Sequence, residues 1–277
     1  MSTPIYFVNG HFVPEDQAVL PVSDLGIIRG YGIFDLFRTY NGRPFKMREH
    51  LIRLQNSAQG LDIPLRWTLD KLEGIVRELL ARNAYPESVV RIVLTGGPSE
   101  NGFLPTGEPS LAILVTPLRP TPSEVFERGT AVITVPAHRF MPTVKTLNYI
   151  PAIIAVKQAI TQGATEALYV NDQDHILEGT RSNFFVFKGD TLITPREGIL
   201  FGITRNVVLE LAQSHYEIQE RAILRRELAE VDEAFYTSTT SEVMPIVRID
   251  DQMVGHGRPG SRTMDLRARF LMAAYQA

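Results

Sequence analysis

A chain of 277 residues that is 44% hydrophobic and 21% charged can build two ordinary domains or one large one, with an ample core. Its net charge of −3 is scattered over both signs with no basic run, which argues against nucleic acid or an anionic membrane as a partner. It has no cysteine, which excludes disulfides, zinc–thiolate centres and cysteine nucleophiles; no metal site is expected, and a reducing, cytoplasmic setting fits.

In chain order, Ile5–Val8, Asn9-Gly10 and His11–Val13 predict a β-hairpin on an Asn-Gly turn. The opening residues lack the charged-then-apolar order of a signal peptide, and no apolar run reaches the ~18 residues of a membrane span. A glycine-punctuated stretch with Gly26, Gly30 and Gly32 leads into a strand over 33–40, closed by a turn at Asn41-Gly42. Leu51, Leu54 and Ala58, then Leu69, Leu72, Val76 and Leu79, recur at helical spacing and predict helices over 48–60 and 68–83. Strands at 89–95 and 111–116 flank a Gly/Pro-rich loop that begins Thr95-Gly96-Gly97-Pro98.

The prolines of 117–122 mark a boundary, giving an N-terminal α+β domain over 1–117, a linker over 118–122 and a larger, β-rich domain over 123–277. In that second part we expect a strand at 130–135, a helix at 151–162 and a hairpin pairing 167–170 with 175–177. Strands at 184–187, 191–193 and 233–237 follow, with one helix opened by Leu200–Arg205 and running through Leu211 and another covering about 262–275.

Only five of the 28 Lys and Arg residues are lysines, and Lys145 stands between the apolar Val144 and Leu147. Desolvation lowers an amine's pKa, and a neutral amine attacks a carbonyl to form a Schiff base. The octapeptide alone equally suits a lysine snorkelling from a helix start. Three further clusters end second-domain strands. Glu178 is either a solvated turn residue or the partner of a buried cation. Gly202-Ile203-Thr204, at a helix start, is either a plain N-cap or a phosphate cradle. Ser238 to Ser241 supply four consecutive hydroxyls, for capping or for anion binding. An amine, an acid and two anion cradles are together what pyridoxal phosphate requires.

Lys145-Thr-Leu-Asn-Tyr149, Leu177-Glu-Gly-Thr-Arg-Ser-Asn-Phe-Phe185, Leu200-Phe-Gly-Ile-Thr-Arg205 and Ser238-Thr-Thr-Ser-Glu242 resemble the signatures of the class IV aminotransferases, and the likeness runs nearly end to end. It implies a two-domain, fold-type IV α+β architecture, with a small N-terminal α/β domain and a larger β-rich one that binds pyridoxal 5′-phosphate. It also implies a homodimer with shared sites. By the same resemblance Lys145 holds the cofactor covalently and shuttles a proton, Glu178 faces the pyridine nitrogen, and Arg53, Ile203, Thr204, Thr239 and Thr240 hold the phosphate. Tyr149 approaches the O3′ side and Leu200 packs on the ring.

The subfamily devices are incomplete. D-amino acid transaminases carry a tyrosine where Phe34 stands and Arg-x-His in the loop at Gly96; branched-chain enzymes carry Glu-Gly where this chain has Asp35-Leu36, although Arg38 matches a position they use. Phe34, Arg38, Gly96 and Thr240 are therefore expected around the substrate. Arg29, from the neighbouring subunit, and Arg181 are expected either to clamp the substrate carboxylate bidentately or to make surface ion pairs. The favoured expectation is a D-amino acid transaminase with an atypical carboxylate pocket and 2-oxoglutarate as acceptor. A branched-chain L-transaminase is the alternative, followed by an aminodeoxychorismate lyase or an (R)-amine transaminase. A binding protein whose lysine and hydroxyls are structural is the reading from outside this class.

Overall fold

The computed structural model describes residues 3–276. The chain forms two compact units. One holds the residues up to Arg119 together with Val144–Asn148; the other holds Pro120–Thr143 and Tyr149–Gln276. The sequence boundary put all of 123–277 in one domain. The Lys145 segment departs from that scheme because its backbone pairs with a strand more than a hundred residues earlier.

The first unit contains β1 (Ile5–Val8), β2 (His11–Pro14), α1 (Leu25–Ile28), β3 (Gly32–Tyr40), β4 (Arg43–Pro44), α2 (Met47–Gly60), α3 (Leu69–Asn83), β5 (Ser88–Thr95) and β6 (Ser110–Pro117). Its six strands form one sheet in the order β2-β1-β6-β5-β3-β4, antiparallel throughout. Asn9-Gly10 and Asn41-Gly42 all take positive φ, the geometry that matches a hairpin's twist. β3 is buried along almost its whole length, and α2 packs on it. Thr68 caps α3 by accepting the Lys71 amide at 3.2 Å.

The second unit contains α4 (Ser123–Arg128), β7 (Thr130–Pro136), α5 (Ile150–Thr161), β8 (Glu166–Val170), β9 (His175–Gly179), β10 (Asn183–Lys188), β11 (Thr191–Thr194) and α6 (Ile203–Ala212). After these come β12 (Glu217–Glu220), β13 (Ile223–Leu224), β14 (Glu233–Ser238), β15 (Glu242–Ile249), β16 (Gln252–Met253) and α7 (Ser261–Gln276). Its ten-stranded sheet runs β12-β11-β10-β14-β15-β7-β8-β9-β13, with β16 on β15 and a further β9–β10 pairing. Phe184, Val186, Tyr236, Met244 and Ile246 lie in one core on this sheet; Ile133, Val135, Ala167, Tyr169 and Leu177 lie in another with Ala155 and Ala159 of α5.

The sequence reading assigned no strand after Ser241, whereas the structure has β15, which carries Pro245, a residue that is rare in central strands. The strand tolerates it because pairing with β7 begins only at Ile246, past the proline, and is irregular there. The Ser238–Ser241 hydroxyls accordingly form the β14–β15 hairpin turn, where the Ser241 amide donates to Ser238 Oγ at 3.0 Å, and do not cap a helix. No helix among the described residues is long and apolar enough to cross a membrane.

Candidate active site

In the first unit, residues 145–147 extend the sheet along the free edge of β3. The Phe34 amide donates to Lys145 O at 3.0 Å, the Leu147 amide to Gly32 O at 2.9 Å, and Thr146 bridges Ile33. Only glycine permits this approach at position 32, where a Cβ would lie 2.7 Å from Leu147 Cδ1 and 2.9 Å from Leu94 O. The Lys145 amide also donates to Ser57 Oγ of α2 at 3.1 Å. So held, the half-buried Lys145 places Nζ 4.6 Å from the centre of the Phe34 ring.

Next to Phe34, Asp35 is completely buried and points to α2. Its carboxylate accepts from Arg53 Nε and Nη2, each at 2.8 Å, and from His50 Nδ1 at 2.7 Å. His50 and Arg53 are one helical turn apart, so both reach the same strand position. Burial would raise the Asp35 carboxyl, but the charges and hydrogen bonds of Arg53 and His50 outweigh it and hold the group well below the carboxylate range. Burial pushes His50 below its ordinary value despite Asp35, and the positive charges of Arg53 and Lys145 act in the same direction. A neutral ring donating from Nδ1 to Asp35 satisfies both.

In the second unit, β9, β10 and β14 set Glu178, Asn183 and Thr237 side by side in register. Glu178 is buried. Its Oε2 accepts the Leu200 amide at 3.0 Å and Asn183 Nδ2 at 3.4 Å, while Oε1 pairs with Arg139 Nη1 at 3.2 Å. Asn183 Nδ2 also donates to Leu200 O at 2.8 Å, which ties the loop before α6 to the strand ends. A Cβ on Gly202 would meet Asn183 Oδ1 at 2.1 Å, so the start of α6 sits directly against Asn183. Because Asn183 opens β10 and Thr237 nearly closes its antiparallel neighbour β14, that helix start and the Ser238–Ser241 turn share one end of the sheet. Among the described residues no side chain caps α6 and the buried Thr237 hydroxyl has no hydrogen-bond partner, while Thr204 is buried in the first turn of α6. Unsatisfied donors beside a fixed carboxylate fit a group that is anionic at one end and carries a protonatable nitrogen at the other. The residues present therefore fit pyridoxal phosphate.

Leu200 is buried beside Glu178, and Ile203 follows Gly202 at the helix start. Thr239 and the exposed Thr240 are in the hairpin turn; Tyr149, half-buried, precedes α5. Gly96 is packed against Tyr31, since a Cβ there would lie 2.4 Å from its ring. Arg38 stacks 4.1 Å over Tyr40 and donates Nε to Thr39 O, roughly 13 Å along β3 from Phe34. Arg29 and Arg181 are exposed. Arg29 donates to Ile28 O, and neither arginine forms an ion pair among the described residues.

Sequence reasoning passed over Asp35, His50 and Asn183 and gave no role to Arg139. The His50/Arg53 spacing on one helical face was a usable sign of a shared acceptor. Arg139 and His138 line a cleft of about 540 Å³ that also reaches His175, Arg196 and Arg221.

The mixed two-unit architecture is that of the fold-type IV aminotransferases. The structure matches a branched-chain amino acid aminotransferase from T.th., solved with pyridoxamine 5′-phosphate, with a TM-score of 0.92 and 27% identity over 100% of this chain and 95% of that one. In sequence it is 34% identical to a "Putative branched-chain-amino-acid aminotransferase" of Methanocaldococcus jannaschii (95% of this chain, 94% of that protein). It is 32% identical to a D-alanine aminotransferase of Staphylococcus epidermidis (95% of each). The model of the family "Amino-transferase class IV" matches residues 32–249, and the chain belongs to that family.

Proposed function

We propose that the protein is a pyridoxal-phosphate-dependent D-amino acid transaminase that passes the amino group to a 2-oxo acid such as 2-oxoglutarate. Bound pyridoxal phosphate supplies a carbonyl for the amine and a ring that draws electrons from the substrate carbon. The ε-amine of Lys145 would hold the cofactor and would take up and return the proton of the substrate's Cα. Glu178, kept in place by Leu200, Asn183 and Arg139, keeps the pyridine nitrogen protonated. The phosphate is taken by Arg53, the start of α6 with Ile203 and Thr204, and the turn with Thr239 and Thr240. Asp35 orients the Arg53 fork from behind.

The observation that carries the stereochemical reading is that Arg29 and Arg181 have no carboxylate partner among the described residues. A guanidinium fork left open is a ready carboxylate receptor. Lys145 works on one face of the substrate, so the side on which the carboxylate is gripped decides which enantiomer presents its Cα–H. We assign that grip to Arg181 together with Arg29 of the partner subunit. The dimer this requires is supported by α5, which buries Ala152, Ala155 and Ala159 and leaves Ile150, Ile153 and Ile154 exposed on its other side, a face suited to a second copy. A branched-chain L-transaminase remains the second reading, favoured by the branched-chain names of the relative and the solved structure reported above.

Single-turnover mixing with D-alanine, D-glutamate and L-leucine, read as loss of the visible absorption of the lysine-bound cofactor, tests this. We expect the D-amino acids to react faster by about 100-fold or more. L-leucine reacting fastest would replace the reading with the branched-chain one. Borohydride reduction with peptide mapping should find the pyridoxyl group on Lys145; finding it elsewhere, or nowhere, would remove the proposal altogether.

A further inference from the structure

The chemistry assigned above makes no use of Glu166. It opens β8, is almost wholly buried, and forms no ion pair among the described residues. A buried carboxylate without a cation persists only where hydrogen-bond donors surround it. Here they come from its own strand and from one short turn. Oε1 accepts the Ala167 amide at 2.9 Å, the Thr180 amide at 3.2 Å and the Thr180 hydroxyl; Oε2 accepts the Ser182 hydroxyl at 3.2 Å. The turn is closed by the Gly179 amide donating to Ser182 O at 2.7 Å. A Cβ at Gly179 would lie 2.1 Å from Ser182 Oγ and 3.3 Å from Glu166 Cδ, so the backbone is folded tightly around the carboxylate.

The residues flanking this turn are Glu178 and Asn183. They are paired across β9 and β10, and Asn183 donates to Glu178. Thr180 and Ser182 point inward to Glu166, while Arg181 between them is exposed. The carboxylate therefore sets both the register of Glu178 against Asn183 and the outward direction of Arg181.

We propose that Glu166 is a positioning residue for Glu178: its buried carboxylate is the template on which the Gly179–Ser182 turn is formed. The roles of Glu178 and Arg181 rest on the proposed function, whereas the template itself is a property of the protein without cofactor. Hydrogen–deuterium exchange on cofactor-free protein therefore decides it. In Glu166→Ala, the Ala167 amide and the amides of 178–183 should exchange about tenfold faster or more, the effect of losing one buried hydrogen bond, with the rest of the second unit unchanged. Glu166→Gln keeps an acceptor for Ala167 and Thr180 and can donate to Ser182, so it should restore protection. Pyridoxal phosphate affinity should follow the same order, weakened about tenfold in the alanine variant and recovered in the glutamine variant.

If Glu166→Ala does not fold, Ser182→Ala removes a single donor and should raise exchange in the same segment to a smaller degree. Unchanged exchange at 178–183, an even rise across the unit, or a glutamine variant as impaired as the alanine one would each overturn the template. Wild-type protein that takes up no pyridoxal phosphate would instead remove the proposed function and leave the exchange comparison to stand by itself.

Discussion

Replacing Asp35 by Asn should destabilise the first unit severely at almost constant volume. Asp35 is fully buried, the side chains of His50 and Arg53 are 4% and 12% exposed, and four N–H donors, two of Arg53, one of His50 and the Leu36 amide, converge on its two oxygens. An amide offers one acceptor oxygen and turns its NH2 toward groups that are themselves donors, leaving the guanidinium without a counter-charge. Breaking one side of a buried pair in this way costs about 3–5 kcal/mol, and retention of one hydrogen bond puts the expected loss near the lower end. The single tryptophan, Trp67, directly precedes the Thr68 cap of α3, so its fluorescence reports on this unit. For a urea m-value of about 1.5–2 kcal/mol/M, a loss of about 3 kcal/mol lowers the cofactor-free midpoint by roughly 1.5–2 M. The double replacement Asp35→Leu with Arg53→Met removes both charges and should recover most of that loss, since a buried ion pair is worth little against apolar packing. A midpoint within about 0.3 M of wild type for Asp35→Asn would refute the triad as a buried charge centre, because at such an m-value the loss would be below about 0.6 kcal/mol.

Acid should expose the same cluster in two stages. The folded pKa of His50 lies below its unfolded value of about 6.5, so its contribution is complete above that pH and is lost as pH falls beneath it. The Asp35 contribution, from a depressed carboxyl, is present above the unfolded value of about 3.9 and declines only below it. Trp67-monitored midpoints should thus begin to fall below about pH 6.5, and His50→Gln should flatten that first stage; an unchanged profile in the variant would contradict the assignment. Gly97→Ala should cost about 2 kcal/mol or more in the same assay, because Gly97 has φ +75° and its Cβ would lie 1.7 Å from Glu108 O. A variant as stable as wild type would show that this loop yields without cost. Ile153→Asp with Ile154→Lys should shift the protein from dimer to monomer in sedimentation while leaving the α5 helix intact. An unchanged mass would place the subunit contact elsewhere.

The elements legible in the sequence were those whose evidence is local. Apolar spacing located α2 and α3 to within a residue or so, and the Asn-Gly turns of the first unit take the positive φ that their residues favour. What escaped was set by partners distant in the chain. Pro245 reads locally as a strand breaker and becomes admissible because pairing with β7 begins only one residue later. Lys145 reads as part of the chain around it, but its backbone hydrogen bonds go to Gly32 and Phe34. The carboxylates divide in the same way. Glu178 stood out because it lies within a recognisable run, and Asp35 looked like a mere departure from Glu-Gly until α2 supplied its partners. Glu166 was the least legible, since a glutamate at the start of a strand is ordinarily solvated. It becomes a buried acceptor because the β8–β9 hairpin returns Thr180 and Ser182 to it, and the register that does so is a product of the sheet rather than of neighbouring residues.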